Sequence, residues 1–415
     1  MWIRGAIAVL AAGTALAGSA EFQVHDGDTV VFYGDSITSA RLYTVFTEAY
    51  ILTRFPRMRV NFIHSGWSGD RVSGGGNGPI DVRLERDVFA YHPTVITVML
   101  GMNDGEYQPF DAGIFEKFTS GYRHILDAIQ VKAPQARVTV LEPSAYDDFT
   151  RAPLFAGGYN SVLLRFGAFV RETGAARGLT IADLNSPVAA LLRVANLAAP
   201  QPAQGLIPDR VHPSAGAHLV MAEALLRAWN APATVSAVEI DAASGTVVHA
   251  ENTHVELTAG DEGISWTQAD HALPMPVGAD ETIALALRYS DFTEAMNRET
   301  LKVTGLGAGS YCLRIDDEAV GTFDTRTLAK GLNLASLETP MSRQARTVLD
   351  LTYRHNHLRY ARLMMVEQAF REFHPAKLDA AIEAMDALHE EVVSMQRAAA
   401  VPKEHRYRLT KVPAS

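Results

Sequence analysis

The stretch VITVML at residues 95–100 is apolar on both faces of an extended chain. Strands of antiparallel sheets that are solvated on one side alternate apolar with polar residues, so this run predicts a strand buried inside a parallel sheet. Around it, apolar runs alternate with segments of helical period, in the order 29–33, 40–55, 59–63, 80–90, 95–100, 114–131, 137–141, 154–173 and 179–182. This alternation predicts an α/β domain over residues 21–230, built on a doubly wound, mainly parallel, five-stranded sheet.

The composition changes at Ala231-Pro232-Ala233. Beyond this point, alternating stretches separated by Gly, Asp and Asn turns predict a small antiparallel β unit over residues 233–335. Its predicted strands lie at 235–240, 246–250, 282–287, 311–315 and 319–323. Two helical patterns, at 342–373 and 375–399, predict an α-helical hairpin over residues 340–400 with a tail to residue 415. The hairpin either docks on the first domain or forms a homodimer contact.

The first twenty residues have the organisation of a secretory signal peptide. Arg4 precedes an apolar run from Gly5 to Gly18, and the small residues Ser19 and Ala20 follow. A membrane anchor is the rival interpretation, but the run has about 13 residues where a spanning helix needs about 20. We therefore expect cleavage after residue 20, a secreted or periplasmic protein, and no membrane span in the mature chain.

Charge and cysteine content exclude several classes of partner and stabilising device. The 415 residues carry a formal net charge of −10. Nucleic acids and anionic membrane surfaces select for an excess of Lys and Arg, so nucleic acid is excluded as an expected partner. Cys312 is the only cysteine, so no intramolecular disulfide can form and stability must come from the packed core.

The first predicted strand runs directly into Gly34-Asp35-Ser36-Ile37. In a doubly wound sheet the carboxyl ends of the strands line the ligand crevice, so Ser36 would be displayed where chemistry occurs. Gly34 permits a tight turn, and the helix that follows presents backbone N–H groups to an anion. Seen alone, a serine at a strand-to-helix junction is more typical of a helix N-cap.

Two further candidate segments follow predicted strands, and a third lies near the end of the domain. Gly69 lies in a loop after the second strand, and seen alone this is a flexible loop. Asn103 follows the third strand and either points its amide at an oxyanion or caps a turn. Asp209 precedes His212 by three residues, so its carboxylate can accept the imidazole Nδ1–H and turn Nε2 toward a nucleophile. Alone, that pair is also compatible with a metal-ligand pair or, more commonly, a surface turn.

Together and in this order, these segments resemble the SGNH (GDSL) hydrolase superfamily over roughly half of the chain. The matches to its nucleophile, glycine, Gly-x-Asn-Asp and Asp-x-x-His blocks are residues 34–37, 68–70, 101–104 and 209–212. The resemblance implies a flavodoxin-like fold in which Ser36 is the nucleophile, His212 the general base and then acid, and Asp209 its orienting partner. It further implies an oxyanion hole from the backbone N–H groups of Ser36 and Gly69 and the Asn103 amide, with no metal and no cofactor.

The implied reaction is hydrolysis of a carboxylic ester through an acyl-enzyme on Ser36. Polar and aromatic residues around the predicted site favour a short acyl group, acetyl above all, on a small-molecule or polysaccharide alcohol such as a carbohydrate. The candidates for shaping the substrate pocket are Asp35, Trp67, Arg71, Glu106, Tyr107, Glu142, Tyr146, Asp147 and Arg151. Solvated loop charge explains most of these residues equally well.

Two other functional interpretations stay open. One is a short-chain lipase, lysophospholipase or thioesterase of the same superfamily, and the other is a non-catalytic polysaccharide-binding protein on the same fold. In the β unit, Trp266 either stacks on carbohydrate or, more commonly for a strand tryptophan, lies in the core. In the hairpin, His355 and His357 are two residues apart and do not share a helix face, which argues against a metal site.

Overall fold

The computed structural model describes residues 21–258, 263–370 and 372–413, so the predicted signal segment lies outside the described residues. The strands of the first domain are β1 (Thr29–Gly34), β2 (Asn61–Gly66), β3 (Gly74–Gly75), β4 (Gly78–Pro79), β5 (Val95–Met99), β6 (Arg137–Leu141) and β7 (Thr180–Ala182). Five of them form a sheet of order β2-β1-β5-β6-β7 in which each neighbouring pair is parallel. The predicted five-stranded parallel sheet is confirmed.

Helices surround this sheet, as the alternating pattern predicted. They are α1 (Ser36–Ser39), α2 (Leu42–Arg54), α3 (Ile80–Asp87), α4 (Ala112–Lys132), α5 (Gly158–Ala176), α6 (Ser186–Ala198), α7 (Pro200–Ala203) and α8 (Ala215–Ala228). Helix α2 packs against α8, and α4 packs against α5. Trp229, at the end of α8, is fully buried and donates its indole N–H to Thr139 Oγ1 on β6 at 2.8 Å. Within the described ranges, none of the helices combines the length and apolar character needed to cross a bilayer.

The second half contains two further sheets. Its strands are β8 (Thr234–Asp241), β9 (Thr246–Glu251), β10 (Thr253–Thr258), β11 (Ile264–Asp270), β12 (Arg298–Thr304), β13 (Ser310–Ile315), β14 (Glu318–Asp324), β15 (Leu332–Asn333) and β16 (Glu404–Lys411). One sheet has the order β10-β11-β16-β13-β14 and is antiparallel, and the other has the order β15-β12-β8-β9. We refer to these two sheets and the short helices within residues 281–330 as the β module.

The prediction of a strand at residues 282–287 was wrong. This segment lies in helix α9 (Glu281–Tyr289), and it is followed by α10 (Phe292–Met296), while α11 (Thr325–Lys330) follows β14. Asp280 caps α9 by accepting the Thr282 N–H at 2.7 Å, and the buried Ile283 and Ala286 are three residues apart, as one helix face requires. The helix is held to the first domain, where Gly216 N donates to Thr282 Oγ1 at 2.9 Å.

The tail predicted after residue 400 is also different in the structure, because β16 is the central strand of the five-stranded antiparallel sheet. His405, Tyr407 and Leu409 point inward, whereas the residues between them are exposed, which is the period-two pattern of a half-buried strand. Trp266 on β11 is fully buried and stacks on Tyr407 with ring centroids 5.1 Å apart. The core interpretation of Trp266 therefore holds, and the carbohydrate-stacking interpretation does not.

The helical hairpin leaves the β module after β15 and docks on the first domain. It consists of α12 (Pro340–Ala361), a π-helical turn (Arg362–Glu367) and α13 (Leu378–Ala400), so the first helix ends before the predicted residue 373. Thr339 and Ser342 form a capping box at the start of α12. Both helices of the hairpin contact α2. The hairpin therefore docks on the first domain in this structure, which is the first of its two predicted roles.

A buried carboxylate at the centre of this contact joins three helices. Glu48 on α2 is 1% exposed and accepts hydrogen bonds from His355 Nε2 at 2.6 Å, Asn356 Nδ2 at 3.0 Å, Gln396 Nε2 at 3.1 Å and His64 Nε2 at 3.1 Å. Burial alone would raise the pKa of Glu48, but the charge and hydrogen bonds of the two histidines outweigh burial and hold the pKa well below its usual range. A fully paired buried anion therefore fixes the hairpin to α2.

Replacing this anion should loosen the hairpin. We expect Glu48→Gln to lower the free energy of unfolding by about 3 kcal/mol, because the amide group turns two donors toward side chains that are themselves donors. Since the pKa is depressed in the folded state, the stabilisation is present above about pH 4.5, the usual Glu value, and is lost as the pH falls below it. Urea unfolding at pH 7 and at about pH 3 measures both effects, because the stabilisation decreases progressively between pH 4.5 and the much lower folded pKa. Glu391→Gln on the solvated face of α13 is the control, and equal losses for the two variants would contradict the prediction.

Candidate active site

The serine of the first block lies at the carboxyl edge of the sheet, on a turn that requires glycine. Ser36 begins α1 immediately after β1 and Asp35. A Cβ on Gly34 would lie 2.2 Å from Thr38 Oγ1 and 2.8 Å from the Met99 carbonyl oxygen, so only glycine fits where β1 turns into the helix. The N-cap interpretation of Ser36 was wrong, because the cap is Asp35, whose carboxylate accepts the Ile37 N–H at 3.0 Å. The Ser36 hydroxyl is therefore free for another partner.

That partner is a histidine from the far end of the domain. Ser36 Oγ lies 2.9 Å from His212 Nε2, although 176 residues separate the two in the chain. On its other side, His212 Nδ1 lies 2.6 Å from Asp209 Oδ2, and Asp209 Oδ1 accepts the backbone N–H of His212 at 2.7 Å. Burial alone would raise the pKa of Asp209, but the hydrogen bonds from His212 outweigh it and hold the pKa below its usual value. Asp209 thus orients a ring whose second nitrogen faces the serine hydroxyl.

The loop that carries Asp209 and His212 is held by two of the residues predicted to shape the pocket. Arg151 donates to the carbonyl oxygens of Ile207 and Pro208 at 2.9 Å and forms an ion pair with Asp147 at 3.1 Å. The backbone N–H of Asp147 in turn donates to the carbonyl oxygen of Arg210, a residue with φ of +73°. Arg151 and Asp147 therefore position this loop through hydrogen bonds to its backbone carbonyl groups.

The structure connects two of the three predicted oxyanion donors, Asn103 and Gly69, through Asp70. Asn103 Nδ2 donates to the Asp70 carbonyl oxygen at 3.0 Å, which connects the loop after β5 to the loop after β2. Gly69 immediately precedes Asp70 and has φ of +77°, a conformation that favours glycine, and a Cβ there would face open space. An open space beside Gly69 leaves room for the substrate carbonyl group.

A buried ion triad lies beneath this loop. Arg83 on α3 is fully buried, and its guanidinium lies 2.6 Å from Asp70 Oδ2 and also pairs with Asp87. The same guanidinium stacks over Tyr33 at 5.1 Å and over Trp67 at 5.2 Å. Trp67 is 3% exposed, so it lies in the support of the loop and not on the substrate surface where it was predicted. The sequence contained no signal for Arg83, because an Arg–Asp pair at i, i+4 on a helix is typical of a solvated face.

The remaining predicted pocket residues divide into two groups. Asp35 is 1% exposed inside its cap, and burial raises its pKa to about 7. Glu142 is also buried, and it forms an ion pair with Arg171 on α5 at 2.6 Å. Neither carboxylate is open to substrate, because both residues are buried. Tyr107, by contrast, is 39% exposed and donates its hydroxyl to Asn103 Oδ1 at 2.8 Å.

The rim of the site is aromatic and charged. The Tyr146 ring lies 6.4 Å from that of Tyr107, and Tyr146 itself is 4% exposed, so it supports the rim more than it forms it. Arg71 and Glu106 form an ion pair at 3.1 Å, and both side chains are exposed. A polar alcohol or sugar can contact such a rim by hydrogen bonds and ring stacking.

Comparison with known proteins agrees with this geometry. Residues 32–220 match the family model of the GDSL-like lipase/acylhydrolase family, and that range includes the four motif blocks. The chain contains an SGNH hydrolase domain. As such it is a carboxylic ester hydrolase. An acetylxylan esterase of Geobacillus stearothermophilus is 22% identical over 226 residues, which cover 49% of this chain and 95% of that protein.

One solved structure is similar to this chain beyond the SGNH hydrolase domain. A gut microbial diltiazem-metabolizing enzyme is 25% identical and superposes with a TM-score of 0.81, covering 95% of this chain and 99% of that chain. The β module and the hairpin therefore have counterparts in that enzyme. The crystal structure of the Geobacillus stearothermophilus acetylxylan esterase has a TM-score of 0.40 at 20% identity and covers 50% of this chain and 96% of that chain.

Proposed function

We propose that this protein is an exported serine esterase that removes short acyl groups, acetyl above all, from polar alcohols such as carbohydrates. The observation that carries the proposal is the row of groups from Ser36 Oγ through His212 to Asp209, with spacings of 2.9 and 2.6 Å. Serine is inert at neutral pH without such a base, so this row supplies the nucleophile that ester hydrolysis needs. Export is supported by the order of Arg4, the apolar run and the small residues at 18–20.

In the acylation step, His212 Nε2 takes the hydroxyl proton as Ser36 Oγ bonds to the carbonyl carbon of the ester. The carbonyl oxygen becomes an oxyanion, and the Asn103 amide and the backbone N–H groups of Ser36 and Gly69 donate to it. The bond from the carbonyl carbon to the alcohol oxygen then breaks, and His212 gives its proton to the departing alcohol. Asp209 keeps the ring oriented and stabilises its positive charge throughout.

In the deacylation step, water replaces the alcohol. His212 takes a proton from water as the water oxygen bonds to the acyl carbon, and a second oxyanion forms in the same place. The bond to Ser36 Oγ then breaks, Ser36 recovers the proton from His212, and the carboxylic acid departs. The sum is one ester and one water converted to one acid and one alcohol.

The substrate class is supported by the rim and by the relatives. Tyr107 and the exposed pair of Arg71 and Glu106 offer a stacking surface and charged hydrogen-bonding groups, as a sugar or another polar alcohol requires. One relative is an acetylxylan esterase, and the relative that shares the whole architecture is a diltiazem-metabolizing enzyme. Both names support testing an acetylated polysaccharide and diltiazem as substrates.

A series of p-nitrophenyl esters from acetyl to decanoyl tests the acyl preference. We expect the highest kcat/KM for acetate and a decrease of at least about tenfold by octanoate. A pocket that fits acetyl excludes longer chains, and a methylene left outside it contributes none of the roughly 1 kcal/mol that its burial would give. Acetate release from acetylated xylan and the mass change of diltiazem are measured in parallel, with Ser36→Ala as the control. A maximum at the long-chain end would contradict the proposed substrate class.

A further inference from the structure

The Asn103 side chain is fixed at both of its polar atoms. Its Nδ2 donates to the Asp70 carbonyl oxygen at 3.0 Å, and its Oδ1 accepts from the Tyr107 hydroxyl at 2.8 Å. A backbone carbonyl can only accept, so the amide nitrogen must face Asp70, and the amide oxygen must then face Tyr107, whose hydroxyl can donate. One hydrogen on Nδ2 remains for a ligand after these two bonds.

The turn that presents Tyr107 to Asn103 has an unusual backbone. Glu106 and Tyr107 have φ of +56° and +55°, and two consecutive non-glycine residues in the left-handed region cost on the order of 1 kcal/mol each. The residue before them is a glycine because a Cβ on Gly105 would lie 2.4 Å from the Tyr159 hydroxyl oxygen. The short turn beside Asn103 is therefore strained at Glu106 and Tyr107.

The tyrosine ring is held in place from below. The rings of Tyr107 and Tyr159 lie 5.1 Å apart, and the Tyr159 hydroxyl donates at 2.6 Å to the carbonyl oxygen of Met102, the residue before Asn103. Burial against these neighbours raises the pKa of Tyr107 to about 12, so its hydroxyl keeps the proton that it donates. Both ends of the hydrogen bond are thus attached to the same rigid segment.

We propose that Tyr107 is a positioning residue, whose hydroxyl holds the Asn103 amide in the orientation that directs its remaining N–H at the oxyanion. The inference rests on the proposed ester hydrolysis at Ser36 and adds to it a residue that acts through Asn103. Electrostatic stabilisation of this kind depends on donors that are already oriented before the charge develops. Without the hydroxyl, the amide keeps its bond to Asp70 but is free to rotate about that contact. Part of the free energy of oxyanion stabilisation is then lost in orienting the amide as the charge develops.

Removing the hydroxyl while keeping the ring tests the proposal. We expect Tyr107→Phe to lower kcat toward p-nitrophenyl acetate about tenfold and to leave KM within about twofold, because the oxyanion forms only in the transition state. Asn103→Ala should lower kcat about a hundredfold. In the Asn103→Ala background, Tyr107→Phe should have no further effect, since no amide is left to orient.

Two results would overturn the proposal. One is a Tyr107→Phe enzyme with wild-type kcat. The other is a double variant in which the two effects multiply, because Tyr107 would then act on the substrate independently of Asn103. Tyr122→Phe is the matched control, since its hydroxyl lies in the core at 3.4 Å from the Val98 carbonyl oxygen, and it should keep wild-type kcat. Equal thermal midpoints for Tyr107→Phe and wild type separate positioning from loss of folding.

The same assays distinguish this inference from the proposed function. If wild type hydrolyses no ester faster than Ser36→Ala does, the ester hydrolysis proposed at Ser36 fails and the role of Tyr107 fails with it. If wild type is active, Ser36→Ala is inactive, and Tyr107→Phe equals wild type, only the role of Tyr107 fails.

Discussion

Replacing Ser36 with alanine should lower kcat toward p-nitrophenyl acetate by on the order of 10⁴-fold or more, with an unchanged thermal midpoint. The large effect follows from the geometry, because His212 Nε2 lies 2.9 Å from the Ser36 hydroxyl that it activates, and without that hydroxyl no acyl-enzyme can form. Folding should not change, since the helix cap at this turn comes from Asp35 and not from the serine. Residual rate enhancement would come from the oxyanion donors acting on an attacking water.

The control for this experiment lies one helical turn away. Ser39 is the last residue of α1, and its backbone N–H bonds to Asp35 in the ordinary helical way. Ser39→Ala removes a hydroxyl from the same helix and should keep wild-type activity. Comparable activity losses in the two variants would mean that the helix tolerates no change and that Ser36 has no special role. Full activity in Ser36→Ala would contradict the serine mechanism.

The second large effect is expected in the free energy of unfolding when the buried Arg83 is replaced. We expect Arg83→Met to lower the free energy of unfolding by about 3–5 kcal/mol, because the substitution leaves the buried Asp70 carboxylate without its cation and leaves Asp87 with Arg86 as its remaining partner. Asp70 is fully buried and Asp87 is 3% exposed, so water does not screen them. Burial raises the pKa of Asp70 and the Arg83 charge opposes this rise, so removing Arg83 should let protonation of Asp70 offset part of the loss.

Urea unfolding measures this loss, and a surface arginine gives the scale. Arg177 pairs with Asp127 at 2.7 Å with both side chains partly or largely exposed, so Arg177→Met should cost about 1 kcal/mol or less. Equal losses for the two arginine variants would contradict the prediction. Activity of Arg83→Met should also decrease, because Asp70 carries both the carbonyl that anchors Asn103 and the peptide link to Gly69.

The sequence could predict the parts of the site that recur as short motifs at strand ends. Ser36 and Asn103 were found in this way, because they follow parallel strands whose carboxyl ends lie at one edge of the sheet. Asp209 and His212 follow no strand and were predicted from their spacing and from the family resemblance, and the structure places them in a row with Ser36. The supporting residues could not be predicted in this way. Arg83 on its helix has the appearance of a solvated charge, and only the packed structure shows that two carboxylates and two rings enclose it.

The second half of the chain was harder to predict for a different reason. Short apolar stretches are ambiguous between strand and helix, and residues 282–287 were resolved by a cap at Asp280 and by contact with α8. The strand β16 did show alternation between exposed and buried positions, but its partners lie far back in the chain. Pairing between such distant segments leaves no local signal.

The position of β16 between β11 and β13 has a consequence for biosynthesis. A ribosome delivers both neighbours, and then the whole docked hairpin, before it delivers the strand that joins them. The α/β domain can therefore fold during translation, while the two inner edges of the antiparallel sheet stay exposed until residues 404–411 emerge. Exposed strand edges recruit foreign strands, so this interval is when a nascent chain most needs a chaperone. Early docking of the hairpin on α2 would speed closure of the sheet once the last strand has emerged, because the docked hairpin holds that strand close to the gap that it fills.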